Sequence, residues 1–273
     1  MASTAPQPPY GRGSVVWLVN REALVLLAGG RALLLQLAHP AVAAGVDEHS
    51  DYREHPIRRL WRTLDLTLRL AFGDSSGRRG AARQINDAHR TVRGEGYRAN
   101  DPALLLWVHA TLIDSALDAY ERFVAPLSAA EREAYYTETK PLGALLGLPA
   151  SAYPATYADF AAWWQRMLDG DELRVDERAR GLCRAVLQPK ISLLPRSLWR
   201  PLVALTAGLL PPPIREAYEL PWGSRERRLS ARLTQVLRAA RHLPAPLRCV
   251  PIAQRAARHA GTSSRGEIRR GPA

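Results

Sequence analysis

Seven histidines occur in the 273 residues, and five of them, His39, His49, His55, His89 and His109, fall within a 71-residue span. Imidazole changes charge near neutral pH and is a common metal ligand. Two of the five sit on apolar helical faces. In Ala82-x-x-Ile85-x-x-x-His89-x-x-Val92, His89 occupies a core-facing position, and His109 does the same in Leu105-x-x-x-His109-x-x-Leu112-Ile113. A buried imidazole needs partners for its nitrogens, because an unpaired polar group away from water costs free energy. The partner is a metal, a carboxylate or a backbone carbonyl, and spacing alone leaves all three open. Arg59 and Thr63 form an i,i+4 pair flanking the apolar stripe of Leu60, Trp61, Leu64 and Leu68, within reach of a buried anion or polar ligand. Arg62 is adjacent and suits the same part.

Several chemistries lack their signatures. There is no HExxH for a zinc hydrolase and no GxSxG nucleophile elbow. GxGxxG and Walker loops are absent, so nucleotide binding has no signal, and no CxxCH would attach a haem covalently. Asp47, Glu48, Asp51 and Glu54 do not match calcium-loop spacing and read as a solvated loop. The two cysteines, Cys183 and Cys249, make no disulfide framework and suit a reducing compartment.

The elements that must position these side chains are helical. Leu and Ala dominate an apolar fraction of 47%, while alternating Val/Ile/Thr segments are missing. The expected class is all-α, a single multi-helix domain. One or two buried helices run from Val15 to about Val42, broken at Gly29-Gly30-Arg31; a polar loop covers Gly45 to His55; helices follow from Pro56 to Phe72 and from Arg79 to Arg93. Asn100-Asp101-Pro102 starts the helix that runs to about Val124, and Ser128 with Glu131 forms a capping box for the next. Further helices are expected at 154–169, 175–188, 197–209 and 225–242, with Leu210-Pro211-Pro212-Pro213 as a rigid connector.

The formal charge of +12 is carried almost entirely by arginine and is unevenly placed. From Ser224 onward twelve Arg face only Glu226 and Glu267. The last helix sets Leu229, Leu233, Val236, Leu237 and Ala240 on one face, with Arg225, Arg228, Arg232 and Arg238 mostly off it. That pattern fits peripheral membrane contact through a basic helix, or a terminal helix packed on the core. Without interleaved aromatics, specific nucleic-acid binding is not expected. The reading divides the chain into a flexible segment 1–13, a helical domain 14–243 and an unstructured basic tail 244–273. The polar, Pro-rich start carries no secretory pattern and no run reaches the roughly 18–20 apolar residues of a membrane span. A cytoplasmic location, peripheral to a membrane where the basic helix makes contact, is the expectation.

Strings along the chain are distinctive: Leu33 to Ser50 with its His39-Pro40-Ala41-Val42-Ala43-Ala44-Gly45-Val46-Asp47-Glu48-His49 core, Arg59-Leu60-Trp61-Arg62-Thr63, Phe72-Gly73, His89-Arg90-Thr91-Val92-Arg93-Gly94, Tyr97 to Pro102, and Leu106-Trp107-Val108-His109-Ala110-Thr111-Leu112. In this order they resemble the MpaB-type oxygenases, a family that includes the latex-clearing rubber oxygenases. The resemblance spans roughly residues 15 to 225. It implies an all-helical fold holding a non-covalent haem b in a pocket between helices, and oxidation of long apolar substrates with dioxygen. It makes His89 the candidate proximal iron ligand, sets Arg59 and Thr63 beside the haem, with Arg62 next to them, and puts His109 on the neighbouring helix. Rubber oxygenases use a distal Glu as base; the matching stretch here is His39 to His49, where that role falls to His39, to His49 or to no side chain. The chain is shorter than rubber oxygenases, so a smaller apolar, lipid- or isoprenoid-like substrate is expected. The alternative is a haem carrier or sensor with both axial positions filled, by His89 and either His109 or His39.

Overall fold

In the computed structural model the described residues are 10–11, 13–50, 56–188 and 195–256. The helix α6 (Pro102–Phe123) runs through the centre and is buried over most of its length. The expected start is realised: Asp101 accepts the Ala103 N–H at 2.8 Å and Pro102 occupies the first turn. With Leu104, Trp107, Ile113, Leu117 and Phe123 all buried, α6 is apolar on every side, the pattern of a helix surrounded by others.

Around it, α1 (Val15–Asn20), a 3-10 segment (Ala23–Ala28) and α2 (Gly29–Leu37) form one wall. The charge that interrupts this apolar run in sequence is itself buried. Arg31 donates from Nε to the Leu209 carbonyl at 2.8 Å and from Nη1 to Ser115 Oγ at 2.7 Å, and its Nη2 pairs with Asp114 at 2.5 Å. Burial pushes the Asp114 carboxyl up and the Arg31 guanidinium opposes that push. The arginine thereby ties α2 to α6 and to α10 (Arg200–Leu209).

The helix α3 (Pro40–His49) starts at His39 and runs through Gly45–His49, where a polar loop was expected. The polar side chains are used rather than solvated: Glu48 accepts from Tyr97 Oη at 2.7 Å and pairs with Arg178 at 3.0 Å, while Asp47 lies 3.6 Å from Arg178. Residues 51–55, with the rest of the expected loop and His55, lie outside the described set.

A separate pair of antiparallel helices, α4 (Pro56–Phe72) and α5 (Ser75–Thr91), has its own small cluster of Leu66, Leu70, Ala81 and Ala82 beside Ile85, Leu142 and Leu146. Asp74 caps α5 through the Gly77 N–H at 2.7 Å. The chain then makes a short antiparallel ribbon, β1 (Arg93–Gly94) with β2 (Tyr97–Arg98), whose turn puts Gly96 at φ 75°. This ribbon is the only sheet among the described residues.

The capping box is present at the start of α7 (Ala129–Leu145), where the Ser128 N–H and hydroxyl both reach Glu131 at 2.7 Å. Then come α8 (Tyr157–Asp169), α9 (Glu177–Leu187), α10, α11 (Pro212–Ala217) and α12 (Ser224–Ala240). The proline cluster is thus partly helical, since Pro212 and Pro213 open α11. On α12, Leu233 and Leu237 pack against the core, but Val236 is 68% exposed and does not share their face as expected. Nor does the structure end at 243. Within the segment expected to be unstructured, α13 (Ala245–Arg248) leads into buried Cys249, Val250 and Ala253. The Val250 N–H reaches the Arg21 carbonyl at 2.8 Å and Arg248 pairs with buried Glu22 at 3.1 Å. No single helix among the described residues is long and apolar enough to cross a membrane; Ala23–Leu37 with Pro40–His49 passes only as a pair, bent by 105°.

Candidate functional site

His89 lies in the last turn of α5 and edges an open recess of about 230 Å³. Asn86 and Arg90 flank it on the same helix, Asn100 and Leu105 come from the start of α6, and Leu146 and Gly147 close the far side at the end of α7. Asn86 stands one turn before His89 and donates to the Leu145 carbonyl at 3.0 Å, which fixes α5 against the end of α7. Gly147 adopts φ 90°, so the chain turns back sharply there and leaves the recess open.

The ribbon after His89 is held by the segment that follows His39. A Cβ on Gly45 would stand 3.2 Å from Val92 Cγ1 and 3.3 Å from the Tyr97 ring, so α3 and the ribbon touch backbone to side chain. His49, exposed at the end of α3, donates from Nε2 to the Arg93 carbonyl at 3.0 Å. Two of the distinctive strings, His39 to His49 and His89 to Gly94, are therefore packed on one another.

His109 lies one turn beyond the recess wall, four residues after Leu105. It is buried, and its Nδ1 is 2.6 Å from the hydroxyl of Tyr153. Burial pushes its pKa down to about 4, so the ring is neutral at pH 7. The same burial pushes the Tyr153 phenol up. On α7, Gly143 makes room for this pair: a Cβ there would fall 1.8 Å from the Tyr153 oxygen and 3.0 Å from His109 Nδ1. His109 does not line the recess with His89.

The other expected site residues scatter. His39 caps α3 by accepting the Ala41 N–H at Nδ1, 3.2 Å away. That leaves the ring proton on Nε2 in the neutral form. Burial lowers the His39 pKa, with Glu172 and Asp101 pulling it the other way. Arg62 and Thr63 are exposed on α4 beside Trp61, which is 66% exposed. Arg59 lies on the same helix, with its side chain outside the described set. Among the described residues no three His, Cys, Asp or Glu groups gather to hold a metal ion; a group needing one imidazole is not excluded by that. Asn86 was readable from its i,i+3 relation to His89. Tyr153 and Gly143 carried no local signal, because the histidine they enclose, His109, lies 44 and 34 residues before them.

An all-helical domain with one imidazole at the mouth of an interhelical recess is the class these observations define. Residues 16–239 match a family described as the ER-bound oxygenase mpaB/B′ and rubber oxygenase catalytic domain. The chain belongs to this oxygenase family. Uncharacterised proteins of Mycobacterium tuberculosis and Mycobacterium bovis are each 33% identical over 225 residues, covering 77% of this chain and 86% of theirs. No solved structure matches.

Proposed function

We propose that the chain is a haem b-dependent oxygenase acting with dioxygen on an apolar, lipid- or isoprenoid-like molecule, with His89 as the iron ligand. The observation that carries this reading is His89 at the edge of the recess, at the His89-x-x-Val92-Arg93 string and within the residues that match the oxygenase family.

The donor set suits the group. A non-covalent haem needs one imidazole, cations near its propionates and an apolar wall. His89 supplies the first, Arg90 stands beside it, and Leu105 and Leu146 line the recess. The recess, at about 230 Å³, is smaller than the roughly 300–1,000 Å³ of usual ligand pockets. A bound macrocycle would need more room than the recess offers between α5, α6 and the end of α7. Arg62 and Thr63 are exposed on α4 and do not line the recess.

When bound, the haem would supply the iron at which dioxygen is activated. Asn86 holds α5 and with it the direction of His89. The leucines exclude water from one side. Neither His39 nor His49 lines the recess, and each is held by a backbone bond, so no proton transfer is assigned to them. The carrier alternative with His89 and His109 as paired ligands would require His109 to leave its enclosed place beside Tyr153.

The test is the absorption spectrum of the protein as purified and after addition of hemin, oxidised, reduced and with carbon monoxide. A Soret band that shifts with carbon monoxide supports the reading and justifies screening apolar alkenes with dioxygen. A six-coordinate spectrum indifferent to carbon monoxide favours the carrier. Failure to take up hemin removes both.

A further inference from the structure

The outward side of α12 carries charge that no ion pair among the described residues engages. Arg225, Arg228 and Arg232 recur at helical spacing and are exposed, and the next position on that line is Val236. Arg227 and Arg238 are exposed on the opposite flank. No ion pair among the described residues engages any of these five guanidiniums, whereas Arg122, Arg132, Arg178 and Arg184 elsewhere on the surface are paired. The helix's one acid is spent locally, since Glu226 accepts the Gly223 N–H at 3.0 Å. Val236 is 68% exposed, and the chain leaving α12 keeps Leu243 at 45% and Leu247 at 70%.

We infer that this face docks on the surface of an anionic lipid bilayer. Arginines on a helix face adsorb to anionic headgroups, each contributing modestly and additively, while exposed aliphatic side chains beside them enter the headgroup region. The inner side of α12 cannot insert, because Leu233 and Leu237 are engaged with the core. Docking therefore uses the helix as it stands, with the fold intact. Segment 245–256 is pinned by Arg248 to Glu22 and by Val250 to Arg21, which holds Leu247 at the surface rather than on a loose end. A nucleic acid would use the arginines but gains nothing from Val236, Leu243 and Leu247, and no aromatic side chain offers stacking there.

The experiment is vesicle co-sedimentation of the full chain, using phosphatidylcholine alone and phosphatidylcholine mixed with phosphatidylglycerol. The expected result is binding to the mixed vesicles only, weakening as salt is raised. R225A/R228A/R232A should lower the partition coefficient roughly 100-fold, taking about tenfold for each two-thirds of an arginine pair's worth of lipid attraction. V236D/L247D should also lower it, while R265A/R269A/R270A should leave most of it. Circular dichroism of each variant shows that these surface changes keep the helices. Equal binding to neutral vesicles, full binding by the triple α12 variant, or loss only with the 265–270 changes would overturn the inference. So would duplex DNA binding that V236D/L247D leaves unchanged, with no vesicle binding. A dimer in solution that V236D dissolves, again without vesicle binding, would give the face to a second copy. None of these outcomes depends on whether haem is bound.

Discussion

The hydroxyl of Tyr153 lies 2.6 Å from Nδ1 of His109, and both are enclosed between α6 and α7. A histidine that looked in sequence like a ligand is, in the fold, one half of a buried hydrogen-bonded pair. Replacing Tyr153 by Phe strands the ring nitrogen and should cost about 1–3 kcal/mol of stability, read from denaturant midpoints. His89-dependent properties should survive, since the pair lies behind the recess rather than in it.

The depressed pKa of His109 sets a pH dependence. Folded His109 titrates at about 4 against an ordinary 6.5, so the unfolded chain binds its proton first as pH falls. Stability contributed by keeping the ring neutral is complete above pH 6.5 and is lost as pH drops toward 4. The loss should approach roughly 3 kcal/mol. A His109→Gln variant should flatten that part of the unfolding profile; an unchanged slope would count against the assignment.

At Gly143 the space is already filled by Tyr153 and His109. Gly143→Ala should displace the phenol and destabilise by about 1–3 kcal/mol, as overpacking does. The shift should be smaller in a Tyr153→Phe background, where the clashing oxygen is gone, so a thermal double-mutant cycle measures the coupling.

His89→Ala should abolish hemin uptake or change the iron spin state in protein whose circular dichroism is unaltered. Arg59→Ala should weaken hemin retention less. An unchanged spectrum on full loading of the His89 variant would remove it as the ligand.

Breaking the Arg31–Asp114 pair leaves a partly buried carboxylate without its partner. Arg31→Ala should lower stability by about 3–5 kcal/mol, and Arg31→Ala/Asp114→Ala by less, because the stranded charge is then absent.

How much of this was readable depends on the reach of each interaction. Caps were readable because Asp101 with Pro102 and Ser128 with Glu131 act within three residues. The all-helical class and the central helix followed from apolar residues at helical spacing. His89 was readable as a candidate from spacing with Ile85 and Val92. The helical run Gly45–His49 was not, since its polar side chains find Tyr97 and Arg178, 49 and 130 residues away. Arg31 looked like a break in an apolar run because its acceptors lie 83 and 178 residues ahead. The docked segment after Pro244 looked like a tail because Glu22 and Arg21 are at the opposite end of the chain.

The central helix also fixes a distance. Leu105 lines the recess near its start, while Arg241, just past α12, donates to the carbonyl of Val124 at its end, 3.4 Å away. Nineteen residues of helix rise about 28 Å, nearly three times the roughly 10 Å over which charges are felt in 0.1 M salt. The chain is therefore a two-poled object. Its arginine-rich pole and its histidine pole do not sense one another's fields at that ionic strength.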